Sequence, residues 1–322
     1  MRILYSIAAA LFSLGVATHG QAAEAYPSKP IKMIVVYPPG GGADVLSRTL
    51  GEVVSRLSGQ PLVVENRAGA NGMIGTAACK NAAPDGYTFC MVISDAVTVN
   101  PHIYSKVPYD VDKDLAPVAS IATVVGVFAV STNVPATNLK ELAAYSDANR
   151  SKVNFGSWGV GSAAHLVMAE MNRSMGSSLV NVPYQGVPQI VNALLAKEVD
   201  STMIFYGPLA QHFQGGKLRP IAVLSERRLP QLPDVPTTQE QGFGFASTLW
   251  YGVFAPSKTA PEQIRQFNEL LNKALADPTV TRTLDAQGLL PLADTPEGFA
   301  RRIAQGRKAW GEVARSLKLS LD

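Results

Sequence analysis

Two glycine-rich segments carry the chemistry that this sequence offers most plainly. Ile34-Val-Val-Tyr-Pro-Pro-Gly-Gly-Gly-Ala-Asp44 reads as a strand, a glycine loop and a helix start. Asn154-Phe-Gly-Ser-Trp-Gly-Val-Gly-Ser162 repeats that order far downstream. Glycines let a ligand approach the backbone closely. The first amides of a helix have no internal partner, and the helix dipole places about half a positive charge beside them. Each hydrogen bond from such amides to a charged group contributes about 1.5–3 kcal/mol. Two such loops facing each other could hold one carboxylate without any arginine. Either loop alone reads equally well as a structural turn; the pair at equivalent places favours binding. Gly40-Gly41-Gly42 does not fit G-x-G-x-x-G, and no G-x-x-x-x-G-K-[ST] loop occurs, so neither a dinucleotide nor a nucleotide phosphate is indicated.

Catalytic readings find less support. Ser157 directly follows Gly156 and Ser162 directly follows Gly161, so neither fits the G-x-S-x-G elbow. His165 lies one turn into the helix after Ser162, where it either lines a cleft or fixes the loop. His102, His165 and His212 show no ligand spacing, so no metal site is expected. The acidic residues form no recognisable acid/base pair, and no cofactor fingerprint appears. Met168, Met171 and Met175 share a helix face and read as core filler.

The elements that must position the loops alternate. Ile31–Tyr37, Leu62–Glu65, Thr88–Ile93, Val153–Phe155, Val199–Phe205 and Pro220–Leu224 read as strands, most of them separated by helical patterns. This implies a mostly parallel α/β arrangement. Asp44 stands as N-cap of a helix whose apolar face is Leu46, Leu50, Val53, Val54 and Leu57. Thr259-Ala-Pro-Glu262 reads as a capping box, and Thr295-Pro296-Glu297 opens a last helix. The repeated strand–loop–helix unit suggests two lobes, each presenting one loop to a shared cleft.

Bulk properties agree. The 322 residues are 47% hydrophobic and 16% charged, enough for a large core, and a net charge of +3 indicates no broad face for nucleic acid. Arg2, the uncharged apolar run Ile3 to Val16 and the small residues of Gly20-Gln-Ala-Ala-Glu-Ala25 follow the order of a secretory signal peptide, cleaved after Ala22 or Ala25. The run is short of the roughly 20 residues of a membrane span. Export would place Cys79 and Cys90 in an oxidising compartment. Pro84-Asp85-Gly86 is a turn signal between a helix ending near Asn81 and a strand starting near Tyr87. A disulfide is therefore favoured over two separate thiols.

The residues resemble the tripartite tricarboxylate transporter receptors, also called Bug-type periplasmic binding proteins. The marks include Tyr37-Pro-Pro-Gly-Gly-Gly-Ala-Asp44 with Arg48, Val64-Glu-Asn-Arg-Ala-Gly69, Ala83-Pro-Asp-Gly-Tyr-Thr88 and Asn100-Pro-His-Ile-Tyr104. Further on stand Gly156-Ser-Trp-Gly-Val-Gly-Ser-Ala-Ala-His-Leu166, Val182-Pro-Tyr-Gln-Gly186 and Trp250-Tyr-Gly-Val-Phe-Ala-Pro256. Each is modest alone; together and in order they are specific. The resemblance implies a type II-like Venus-flytrap fold, two α/β lobes joined by two crossing strands. The corresponding division is a signal peptide over 1–25, one lobe from 26–125 and 252–322, and the other from 126–251. It implies a periplasmic, monomeric receptor that is not an enzyme, binds a di-, tri- or aromatic carboxylate, and serves inner-membrane transporter subunits.

The site carried over by that resemblance comprises Gly40, Gly41, Gly42 and Asp44 on the first loop, flanked by Tyr37. Ser157, Trp158, Gly161, Ser162, Ala163 and His165 form the second loop. Ser94, Asp95 and Tyr206 are expected at the same cleft. Asp44 either caps its helix or receives a donor group of the ligand. Trp158 replaces a small residue and Ala43 a hydroxyl residue of the family pattern. Both argue against an aspartate- or glutamate-like ligand, and Trp158 suggests stacking on an aromatic carboxylate. An exported hydrolase or lyase on the same scaffold, and a sensor for a two-component kinase, are the competing readings.

Overall fold

A computed structural model describes residues 26–244 and 249–321. The expected signal peptide lies outside the described residues.

The first sheet is built as the chain enters. Its elements are β1 (Ile31–Val35), α1 (Gly42–Ser58), β2 (Leu62–Asn66), α2 (Met73–Lys80), β3 (Thr88–Ile93), the short helices α3 (Asp95–Thr98), α4 (Asn100–Ile103) and α5 (Val111–Asp114), and β4 (Leu115–Val124). After Val125 the chain enters the second sheet. There follow β5 (Gly126–Ser131), α6 (Leu139–Ala148), β6 (Asn154–Ser157), α7 (Ala163–Met175), β7 (Val180–Pro183), α8 (Val187–Leu195), β8 (Ser201–Phe205), α9 (Ala210–Gln214) and β9 (Leu218–Leu224). A second crossing returns it to the first sheet through β10 (Leu249–Pro256), α10 (Pro261–Leu275), α11 (Pro278–Gln287), β11 (Leu289–Pro291) and α12 (Pro296–Leu317).

The sheet orders are β11-β4-β10-β3-β1-β2 and β7-β6-β8-β5-β9. Each sheet has three parallel strands, β2-β1-β3 and β7-β6-β8. The expectation of mostly parallel sheets holds only for these. β10 runs antiparallel to β3 and β4, and β5 runs antiparallel to β8 and β9. The cause is the crossing: β10 and β5 each arrive from the other lobe, so they enter at the end where the parallel strands finish. Sheet membership places residues from Leu249 onward with the first lobe. Val125 alone separates β4 from β5, so the first crossing is an almost unbroken strand.

Most strand expectations match within two residues, while β4, β5, β7, β10 and β11 were not separately foreseen. Two capping expectations fail for local reasons. The N-cap of α1 is Gly41, and Asp44 sits inside the first turn, reaching back. Pro261 takes the first position of α10, so Ala260 becomes its N-cap and Thr259 falls one residue too early to cap. Thr295 does cap α12, accepting from the Gly298 amide at 3.2 Å. Cys79 at the end of α2 and Cys90 in β3 form the disulfide, with Cα atoms 6.0 Å apart and both residues buried.

Candidate functional site

A narrow cavity of about 40 Å³ lies between the lobes. Its floor is made where the strands of both sheets meet, by Ile93 of β3, Val124 of β4, Met203 and Phe205 of β8 and Leu249 of β10. Its other side is formed by two helix starts from different lobes. Gly41, Gly42 and Ala43 open α1, and Gly186 and Val187 open α8. The two starts adjoin. A Cβ on Gly186 would stand 2.9 Å from Pro38, and one on Gly40 would stand 3.9 Å from Pro188. Gly42 is required by a closer approach still: a Cβ there would lie 2.6 Å from the Phe205 ring and 2.8 Å from the Tyr251 hydroxyl. The lobes therefore meet around the cavity in a closed arrangement.

The first loop is held from behind. Asp44 Oδ2 accepts from the Gly40 amide at 3.0 Å, and Asp44 Oδ1 accepts from Asn66 Nδ2 at 3.0 Å. Arg48 Nε donates to the same carboxylate at 3.0 Å. Burial opposes the charge on Asp44, yet Arg48, the Gly40 amide and Asn66 hold its carboxyl below the usual carboxylate range. Asp44 is thus an ionised brace that shapes the loop, with its acceptors turned away from the cavity. The resulting loop leaves the Gly42 and Ala43 amides at the cavity, with no carbonyl of their own helix in reach.

The second loop is satisfied by the protein itself. Asp95, at the start of α3 in the first lobe, is fully buried. Its Oδ2 accepts from Trp158 Nε1 at 2.8 Å and from the Ala163 amide, the first residue of α7, at 2.9 Å. An aspartate of one lobe therefore occupies the anion pocket of the other. Burial pushes its carboxyl above the ordinary range, against the pull of the Ala163 and Trp158 donors. Its Oδ1 is buried without a hydrogen-bond partner among the described residues. His165 Nδ1 accepts from the Gly161 amide at 3.0 Å, and burial lowers the imidazole's pKa. Ser162 caps α7, accepting from the His165 amide at 3.4 Å. Ser157 Oγ donates to the Gly159 carbonyl at 3.2 Å.

Of the residues expected at the site, Tyr37, Gly41, Gly42 and Trp158 line the cavity, and Gly40 stands at its rim against Pro188. Asp44 braces the first loop; Ser157, Gly161, Ser162, Ala163 and His165 build the second; Asp95 bridges the two lobes. Ser94 is buried behind, its amide donating to the Trp250 carbonyl at 2.9 Å. Tyr206 lies outside the cavity lining. It packs among Val125, Val127, Val223 and Leu229, against Gly288, while its neighbour Phe205 faces the cavity. Tyr206 stands just past β8 with helical backbone angles, away from the cavity that Met203 to Phe205 line. Sequence reasoning missed Gly186 to Pro188, Phe205 and Tyr251. Gly186 ends the motif Val182-Pro-Tyr-Gln-Gly186 and precedes a helix with proline in its first turn, a signal of the same kind as the first loop. Phe205 and Tyr251 are apolar strand ends, which look like any core residue.

Among the described residues, no group of three or more His, Cys, Asp or Glu side chains could hold a metal ion, and no helix is long and apolar enough to cross a membrane.

Residues 46–319 match the family model described as the tripartite tricarboxylate transporter family receptor. The chain is 35% identical over 312 residues to protein BugT of Bordetella pertussis, covering 95% of this chain and 96% of that one. It is similar to the solved structure of the periplasmic binding protein BugD, at a TM-score of 0.86 and 31% identity, over 92% of this chain and 99% of that one. Two structures from Rhodopseudomonas palustris are also similar. Rpa4515 with adipate gives a TM-score of 0.87 at 27% identity, over 92% of this chain and 99% of that one. MatC with bound malate gives 0.84 at 26%, over 89% of this chain and 99% of that one. Proteins of this kind bind solutes and catalyse no reaction, and with two mixed sheets closed on one cavity this chain belongs to the tripartite tricarboxylate transporter receptor family of periplasmic binding proteins.

Proposed function

We propose that the protein is an exported receptor that captures a small carboxylate between its lobes and delivers it to inner-membrane transporter subunits. The observation that carries this reading is the meeting of two helix starts, Gly41–Ala43 and Gly186–Val187, at one cavity. Each start offers amides and the positive end of a helix dipole, and the two belong to different lobes. A carboxylate placed there draws both lobes together, so binding and closure are the same event. The adipate and malate held by two relatives are consistent with this chemistry. The apolar run ending before Ala22 or Ala25 directs the chain to the periplasm, where the closed form is presented to the membrane partners.

The reading is tested by calorimetric titration of the purified protein with malate, adipate and benzoate, each paired with its amide. Heat with at least one acid and none with its amide is expected. Equal binding of acid and amide, or no heat from any acid, removes it. For the transporter, ligand-dependent capture of inner-membrane transport subunits on the immobilised protein is expected. Capture of a sensor kinase in their place would favour the signalling alternative.

A further inference from the structure

We infer that the ligand of this receptor is a monocarboxylate whose remaining atoms are apolar, so that the cavity selects against a second carboxylate. The inference rests on the receptor reading and adds the ligand's class.

Three features carry it. First, the cavity supplies one anion position. The contacts of Gly186 with Pro38 and of Gly40 with Pro188 bring the α1 and α8 starts side by side, so they converge on one group and do not stand apart to hold two. Pro188 has no amide to give, and Gln189, whose Oε1 accepts from the Gln185 amide at 2.9 Å, is not among the residues lining the cavity. Secondly, the other anion pocket that the sequence foresees is already filled. The Ala163 amide at the start of α7 and the Trp158 indole both donate to Asp95. That loop reaches the cavity only through the Trp158 side chain. Thirdly, the rest of the lining is apolar apart from the phenols Tyr37 and Tyr251. Ile93, Val124, Met203, Phe205 and Leu249 make the floor, and no residue of the lining carries a charged side chain.

A carboxylate reaching that floor would lose its hydration and meet at most the neutral hydroxyls of Tyr37 and Tyr251, with no cationic side chain to balance its charge. An aryl or alkyl body would instead gain burial against the floor and a wall in Trp158. The indole is only 6% exposed and is fixed by its bond to Asp95, so it offers a pre-oriented face at little entropic cost.

Two matched pairs isolate the second charge. Hexanoate and adipate have equal chain length, and benzoate and terephthalate share a ring. Calorimetric titration of the full exported chain, freed of bound acid by dialysis, is expected to show hexanoate and benzoate binding at least tenfold tighter than their diacid partners. A diacid that binds as tightly as its monoacid in either pair overturns the inference and leaves the receptor reading standing. If none of the four acids binds, while the malate titration of the preceding section gives heat, the inference alone fails. If malate also gives none, both fail.

Discussion

Asp95 concentrates the physics of the closed molecule in one side chain. It is a buried carboxylate with two donors from the opposite lobe and, among the described residues, one oxygen unpaired and no charged partner. Asp95→Ala would leave the Trp158 indole and the Ala163 amide without an acceptor, at a cost of about 1–3 kcal/mol. Urea unfolding should show that loss, and Asp95→Asn, which keeps an oxygen in place, should lose less. The pH dependence follows from the direction of the shift. A carboxyl raised by burial binds its proton more tightly in the folded than in the unfolded chain. Its contribution to stability is therefore complete below the unfolded value and is lost as pH rises through the folded one. The titratable groups closest in influence are the phenols Tyr37, Tyr109 and Tyr251, whose own values burial drives upward, so they stay neutral across this range. The stability of the native chain minus that of Asp95→Asn should thus grow as pH falls from neutrality towards 4. A difference that shrinks over that interval would contradict the raised value. None of this was visible in the sequence. Asp95 was expected at the cleft as a ligand contact, and only folding shows that its partner is α7 of the other lobe.

At the scale of elements, legibility followed local signal. Gly40 to Asp44 stands out because three glycines before a helix are unusual without a backbone reason. The structure supplies that reason at Gly42, where Phe205 and Tyr251 leave no room for a Cβ. β4 and β5 were not resolved as strands because nearly all of their residues are buried on both faces, which removes the alternation that marks a strand. The α10 cap was misplaced by one residue because Pro261 fixes the first helical position. The disulfide joining α2 to β3 was signalled by export and by the Pro84-Asp-Gly86 turn. It closes a loop with a sequence separation of 11, and restricting such a loop in the unfolded chain stabilises by about 3 kcal/mol. The Cys79→Ala/Cys90→Ala double variant should lose about that much in chemical unfolding. Both sulfurs are in fully buried residues, so reductant should act on the native protein slowly and on the unfolded protein quickly. Rapid reduction without denaturant would show that α2 opens independently of β3.

At the scale of the whole molecule, the question is what holds two lobes shut around a cavity. The contacts fall into two sets. On the side of the crossings, Tyr206 packs on Gly288 and Gln231 Nε2 donates to the Asp285 carbonyl at 2.8 Å. On the side of the cavity mouth, Asp95 bridges to α7, Tyr104 donates to the Val160 carbonyl, and Gly186 abuts Pro38. Opening about the crossings would have to break the second set. Gly186 is the cleanest place to separate them. Its backbone is extended, at φ 176, a conformation any residue adopts, so a side chain there adds no backbone strain. Its Cβ would nevertheless stand 2.9 and 3.0 Å from two atoms of the Pro38 ring. Gly186→Val should therefore leave each lobe folded while wedging the mouth open. Small-angle scattering should show a larger radius of gyration than the native chain, both with and without acid, and ligand affinity should fall more than tenfold. The circular dichroism spectrum should be unchanged. If Gly186→Val closes around ligand with native affinity, the α8 start is not a wall of the binding site, and the site must be built from the first loop and Trp158 alone.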